Sequence, residues 1–158
     1  MSILKNLFWS VIRLLIRLKF NDIKHLSTQN LVRWLSQSDR EQPLLLDART
    51  LQEYSVSHLP NAKLMPQNMR DLINWQEVDF STNIVVYCSI GYRSSLISRQ
   101  LNALGYQNIF NFNGSIFEWF DRGLSVYRGN KLVNIVHPYN RFWQYLLKSA
   151  CDRTLRHQ

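Results

Sequence analysis

Short apolar runs that alternate with helical patterns constrain the fold of this chain more than any other feature. The runs lie at residues 43–48, 62–65, 84–87 and 109–112. The third run is the clearest strand, because it is continuous and largely β-branched. Helical patterns occupy residues 27–35, 51–56, 67–75, 94–104 and 115–120. This alternation predicts an α/β fold with a parallel sheet covered by helices.

The charge is distributed unevenly along the 158 residues, which carry a formal net charge of +8. Residues 1–26 hold five Lys or Arg and one Asp, and residues 27–126 hold eight cations and nine anions. Residues 127–158 hold six cations and one anion. We therefore expect a basic N-terminal segment at 1–25, a domain at 26–126 and a basic C-terminal extension at 127–158. The extension should contain a small hairpin around Gly129 and an amphipathic helix after Pro138.

The first twenty residues predict an amphipathic helix. Its polar stripe holds Arg13 and Arg17, and leucines fill the opposite side. The apolar residues contribute about −5 kcal/mol to membrane insertion, and the two arginines cost about +5 to +7 kcal/mol, so spanning is at best break-even. No cleavage pattern of small residues follows, which argues against an export signal. Two alternatives remain, namely a helix lying in a membrane interface or a helix packed on the protein itself.

The segment from Ile84 to Ser94 carries the chemistry. A buried strand leads into Cys88, a short loop containing Gly91 follows, and a helix begins near Ser94. Backbone N–H groups of such a loop, together with the helix N-terminus, favour the thiolate form of a cysteine. Arg93 adds a permanent cation for an oxyanion. An inert buried cysteine would be the usual interpretation, but the surrounding loop favours a reactive one.

Four motifs stand out along the chain. They are Leu45-Leu46-Asp47-Ala48-Arg49 with Glu53-Tyr54, Ser57-His58-Leu59-Pro60-Asn61-Ala62, the loop Cys88–Arg93, and Asn113-Gly114-Ser115-Ile116-Phe117-Glu118-Trp119. With these motifs the chain resembles the rhodanese family of sulfurtransferases over roughly residues 26–125. Ser57, Asn61 and Asn113 stand at positions where the family has glycine. Asn tolerates left-handed backbone and Ser does so less well. The resemblance implies a three-layer fold, with a central parallel sheet between helices.

The resemblance also implies the reaction. Cys88 would take a sulfur atom from thiosulfate or a persulfide donor, and a thiophilic acceptor would then remove it. Ser89, Ile90, Gly91, Tyr92 and Arg93 would bind the donor, with Arg93 on its oxyanion. A related phosphatase branch has a longer loop with one more residue before its arginine, so we do not expect phosphatase activity here. No cofactor and no metal site is expected.

Other polar residues fit structural roles better than catalytic ones. Asp47 and Arg49 are expected to form ion pairs, and Arg49 and Glu53 have the i,i+4 spacing of a helical pair. His58 is expected to order its turn. Cys151 could be a resolving thiol, but a half-buried position on a terminal helix fits it better.

The expected partners are a small anionic sulfur donor, a thiol or protein acceptor, and an anionic membrane surface that binds residues 1–20. No nucleic-acid motif is present, and the sequence predicts no particular oligomeric state. The competing function is a binding or sulfur-carrier module without turnover, docked on a membrane surface or free of it. The two cysteines and the lack of an export pattern predict a cytoplasmic location, either free or peripheral on a membrane.

Overall fold

Five parallel strands form the central sheet of the computed structural model, which describes residues 3–66 and 78–139. The strand order is β1-β5-β4-β2-β3, and β6 and β7 form a separate antiparallel hairpin. The elements are α1 Ile3–Lys19, β1 Lys24–Leu26, α2 Thr28–Ser36, β2 Leu44–Asp47, α3 Leu51–Val56, β3 Lys63–Leu64, β4 Asn83–Tyr87, α4 Tyr92–Ala103, β5 Asn108–Phe112, α5 Ser115–Asp121, β6 Val126–Arg128 and β7 Lys131–Val133.

The central strand β4 is apolar on both faces because helices cover both sides of the sheet. Val85 and Tyr87 pack into a cluster with residues of α1, α2 and α5. Ile84 and Val86 pack into a second cluster with Leu101 of α4. Strands buried on both faces carry continuous rather than alternating apolar sequence. The predicted α/β architecture of a parallel sheet between helices is confirmed.

Most predicted elements are present, with shifts of one to three residues at their ends. The helix α4 begins at Tyr92, two residues earlier than expected, because Gly91 ends the loop with a φ of 105°. The strand β1 was not predicted, and it pairs with β5 at the edge of the sheet. The hairpin β6–β7 turns at Gly129 as expected. The helices predicted at 67–75 and after Pro138, and Cys151, lie outside the described residues.

The helix α1 packs on the domain, but with a face that the sequence pattern did not indicate. Trp9 and Ile16 are buried, and Trp9 Nε1 donates to Asp121 Oδ2 at 3.0 Å. Lys5 pairs with Asp121 and Arg13 pairs with Glu118, so part of the predicted polar stripe faces inward. The leucines on the other side are exposed. In the described parts of the chain, none of the helices has the length and hydrophobicity needed to cross a bilayer.

Candidate active site

Cys88 lies where β4 ends, at the edge of the sheet where α/β proteins place ligands. The start of α5 fixes its backbone. The Cys88 N–H donates to Ser115 Oγ at 3.1 Å, and the Cys88 carbonyl accepts the Ile116 N–H at 3.2 Å. The Ser89 carbonyl accepts the Phe117 N–H at 3.1 Å. The motif Asn113–Trp119 therefore positions the cysteine of the loop Cys88–Arg93.

Within residues 3–66 and 78–139, two hydrogen-bond donors reach the sulfur of Cys88. The Gly91 N–H lies 3.1 Å from Sγ, and the Ser94 hydroxyl lies 3.5 Å from it. Gly91 has a φ of 105°, which only glycine adopts at low cost, and this conformation turns its N–H toward the sulfur. The helix α4 starts at the next residue, so its positive end also faces the sulfur. Ser94 was seen in the sequence only as the start of a helix.

Arg93 is held by Glu53, a carboxylate that the helical spacing had predicted to pair with Arg49. Its Nη1 and Nη2 atoms donate to Glu53 at 2.8 and 2.7 Å, and Nη2 also donates to Ser89 Oγ at 2.9 Å. The predicted pairing of Glu53 with Arg49 is therefore wrong. The i,i+4 spacing allowed that pair, but Arg49 instead turns toward Asp47.

The Arg93–Glu53 ion pair changes the pKa of both groups. Burial alone would raise the pKa of the Glu53 carboxyl, but hydrogen bonds from Arg93 and from the Thr50 backbone lower it to about 2. The same hydrogen bonds from Arg93 to Glu53 raise the pKa of the guanidinium. Thr50 and Glu53 form a capping box at the start of α3, which fixes the carboxylate.

Asp47 and Arg49 form a fully buried ion pair beside this network. Arg49 Nη2 donates to Asp47 Oδ2 at 2.6 Å and to the Ser57 carbonyl at 2.6 Å. The structural role expected for these two residues is confirmed, because they tie the end of β2 to the turn after α3. His58 also orders that turn, with Nδ1 2.8 Å from the Leu59 carbonyl and its ring stacked on Tyr54.

A cavity of about 200 Å³ opens beside Cys88. Among the described residues, its lining includes Cys88, Ser89, Ile90, Tyr92, Arg93 and Tyr139. Of the predicted site residues, Gly91 alone is not part of this lining, and its N–H donates to the sulfur of Cys88. Tyr139 had not been predicted, and its ring centre lies 5.3 Å from the Arg93 guanidinium. No local pattern in the sequence connects Tyr139 with the loop.

The three replacements of family glycines have different outcomes. Asn61 adopts a φ of 57°, as expected for an asparagine in a left-handed turn. Ser57 has a φ of −170°, an extended conformation that needs no glycine. Asn113 is absent from the positive-φ residues, and the left-handed positions in that turn are Gly114 and Ser115. The side-chain amide of Asn113 instead donates to the Arg13 carbonyl of α1 at 3.1 Å.

A nearly buried thiol with two donors, a neighbouring arginine and an adjoining cavity is suited to nucleophilic attack on a small anion. The residues at 3–66 and 78–139 contain no group of three His, Cys, Asp or Glu side chains that could hold a metal ion.

Comparison with known proteins finds relatives that are sulfurtransferases. A sulfurtransferase of Allochromatium vinosum is 32% identical over 89 residues, covering 56% of this chain and 82% of that protein. The adenylyltransferase and sulfurtransferase uba4 of Ogataea parapolymorpha is 33% identical over 82 residues. That match covers 52% of this chain but only 21% of the length of the Ogataea protein.

Solved structures of rhodanese-like proteins have the same fold as this chain. A rhodanese-like domain protein from Staphylococcus aureus superposes with a TM-score of 0.53 at 26% identity, covering 61% of this chain and 91% of that one. The human single-domain sulfurtransferase TSTD1 shares the fold, with a TM-score of 0.53 at 21% identity, covering 62% of this chain and 96% of that one. Residues 30–122 match the Rhodanese-like domain family. This chain therefore belongs to the rhodanese-like family.

Proposed function

We propose that this protein is a sulfurtransferase that carries a sulfur atom as a persulfide on Cys88. In the first step the Cys88 thiolate attacks the outer sulfur of thiosulfate. A new sulfur–sulfur bond forms, the donor's own sulfur–sulfur bond breaks, and sulfite leaves with the electron pair. In the second step a nucleophilic acceptor, such as cyanide or a thiol, attacks the outer sulfur of the persulfide. Cys88 then leaves as a thiolate.

The observation that carries this proposal is the pair of donors on the Cys88 sulfur. The Gly91 N–H and the Ser94 hydroxyl lie 3.1 and 3.5 Å from Sγ. Both donors stabilise negative charge on that sulfur, which is an anion before attack and again after release of the product. Sulfurtransferases among the matched relatives support sulfur transfer in general.

The environment of Arg93 supports a proposal about the sulfur donor. Its two Nη atoms are bound to Glu53, so it meets an incoming anion through its remaining N–H groups. The Arg93–Glu53 pair is neutral as a unit, and Ile90, Tyr92 and Tyr139 supply the less polar walls. We propose that the cavity takes thiosulfate and also small organic persulfides, whose apolar portions pack against these walls.

Intact mass spectrometry tests the proposal directly. The full chain is incubated with thiosulfate and then with cyanide, as wild type, Cys88→Ser and Cys151→Ser. We expect a gain of one sulfur atom in wild type and in Cys151→Ser, lost again on addition of cyanide, and no gain in Cys88→Ser. The Cys151 variant is the matched control, because the chain has only these two cysteines.

Two further results would separate this proposal from its alternative. No sulfur gain in the folded wild type, from either thiosulfate or glutathione persulfide, would contradict the proposal and favour a binding module. Complete formation of the Cys88 persulfide, combined with slow transfer of its sulfur to cyanide, would indicate a sulfur-carrier role.

A further inference from the structure

The helix α1 has a second apolar face, turned away from the domain. We call this surface the leucine face. Leu7 is 61% exposed and Leu18 is 67% exposed. The face consists of Ile3, Leu4, Leu7, Val11, Leu14, Leu15 and Leu18. A surface helix normally has one apolar stripe and buries it, whereas α1 uses Trp9 and Ile16 for that purpose and has the leucine face in addition.

The leucine face is continuous. At 100° per residue its members fall within an arc of about 120°, and at 1.5 Å per residue they extend about 22 Å along the helix. Single exposed leucines are normal on soluble proteins, but large contiguous apolar patches mark interaction surfaces. The leucine face therefore needs a partner of matching chemistry.

Three cations that have no acidic partner among the described residues follow one another in the chain from the end of α1 to the start of β1. Arg17 is exposed, and none of the ion pairs among the described residues includes it. Lys19 contacts the Tyr92 hydroxyl at 3.0 Å, and Lys24 contacts the Gln107 carbonyl at 3.3 Å, both neutral groups. The nearby Asp22 is paired with Arg99. The helix itself contains no acidic residue.

We propose that the leucine face docks into the interface of an anionic lipid bilayer, with α1 lying parallel to the membrane surface. Interfacial helices combine an apolar face with basic residues in this way. Anionic headgroups would neutralise Arg17, Lys19 and Lys24. A second copy of the chain fits less well, because a two-fold contact would place α1 against α1, and a helix without acidic residues offers these cations no counter-charge. This inference does not depend on the proposed sulfur transfer.

The opposite face of α1 supports the active-site loop, so docking would hold the Cys88 cavity close to the membrane. Ile16 lies against Gly91, where an added Cβ would come within 3.3 Å of Ile16 Cδ1. Phe20, directly after α1, packs edge-on against Tyr92. Deleting α1 would disturb this loop, and an informative test must therefore change only the exposed residues.

Vesicle flotation of the full-length protein tests the inference. One set of vesicles contains phosphatidylcholine alone, and the other contains equimolar phosphatidylglycerol and phosphatidylcholine. We expect binding to the anionic vesicles only. Leu7→Asp combined with Leu14→Asp should weaken this binding by at least about tenfold. Arg17→Gln should weaken it about fivefold, and added salt should weaken it further.

A matched pair of substitutions controls for added negative charge and lost apolar surface. Leu51 and Leu132 are 62% and 65% exposed on other elements, so Leu51→Asp with Leu132→Asp should leave binding within about twofold of wild type. Circular dichroism verifies folding, and persulfide formation should be unchanged in the leucine-face variant. Equal binding to both vesicle types, or unchanged binding of that variant, would overturn the inference. So would a dimer that the leucine-face substitutions dissociate, in a protein that does not bind lipid.

Discussion

At the scale of single residues, Ser94 offers the most direct probe of the sulfur environment. Its hydroxyl lies 3.5 Å from Cys88 Sγ, and no other side-chain donor among the described residues is within hydrogen-bond distance of that atom. A hydrogen bond to a charged acceptor is worth more than a neutral one. We predict that Ser94→Ala slows persulfide formation from thiosulfate by about three- to tenfold at neutral pH.

Ser98 provides the matched control for this prediction. It is buried on the same helix and donates to the Ser94 carbonyl at 2.8 Å, but it does not contact the sulfur. Ser98→Ala should therefore form the Cys88 persulfide at the wild-type rate. Both rates are measured by intact mass in a Cys151→Ser background, in which Cys88 is the remaining thiol. Equal rates for the two variants would show that the Ser94 contact has no kinetic role.

The residue scale also shows how far sequence patterns reach. The loop from Cys88 to Arg93 is contiguous, so its motif could be read directly. The partner of Arg93 is 40 residues away, and the i,i+4 rule selected Arg49 for Glu53 because that rule uses only local spacing. Tyr139 meets the cavity only after the chain has passed through the β6–β7 hairpin, and no local pattern encodes that approach.

At the scale of elements, the turn between β5 and α5 supports the cysteine. Gly114 has a φ of 116°, and a Cβ added there would lie 2.0 Å from Glu118 Oε2. Glu118 is fully buried and pairs with Arg13 and Arg122, so it has little room to move. We predict that Gly114→Ala lowers the free energy of unfolding by about 3–5 kcal/mol, measured by urea denaturation.

Gly123 is the control for backbone strain alone. Its φ is 77°, and nothing lies within 4 Å of an added Cβ. Gly123→Ala should cost about 1 kcal/mol, the price of a left-handed conformation without a clash. If both variants lost the same free energy of unfolding, the contact with Glu118 would not be the reason that residue 114 must be glycine. The folded fraction of Gly114→Ala should also form the Cys88 persulfide more slowly, because the turn at Gly114 positions the Ile116 N–H that donates to the Cys88 carbonyl.

Elements were predictable where burial alone dictates the sequence. The strands β2, β4 and β5 lie inside the sheet. All but one residue of β2 and of β4 are apolar, which made these strands visible, and β5 was recognised from its three apolar residues. The strand β1 has three residues at an edge, and only Leu26 of them is buried, so it carries no strand pattern. Helical periodicity predicted the helix α1 but not which of its faces packs on the domain. The carboxylates that draw Arg13 and Lys5 inward lie more than 100 residues away along the chain.

At the scale of the whole molecule, the Arg93–Glu53 pair connects two strand–helix units across the carboxyl edge of the sheet. Glu53 lies on α3, which follows β2, and Arg93 lies on α4, which follows β4. The pKa of the Glu53 carboxyl is about 2, below its usual value of 4.5. A carboxyl whose pKa is lowered by folding stabilises the protein above its unfolded pKa, and this stabilisation disappears as pH falls toward the folded pKa.

Acid unfolding should therefore depend on Glu53. We predict that Glu53→Gln lowers the free energy of unfolding by about 2 kcal/mol at neutral pH, since solvent at the partly exposed Arg93 screens part of the pair. The difference from wild type should be constant above pH of about 5 and shrink as pH falls toward about 2. Urea unfolding at a series of pH values measures it. Asp79→Asn is the control, because Ser81 lowers the pKa of that carboxyl at an exposed site, where solvent screening leaves the change with a much smaller effect on stability. A difference between wild type and Glu53→Gln that stayed constant down to pH 2 would mean that the ionised carboxylate does not stabilise the fold.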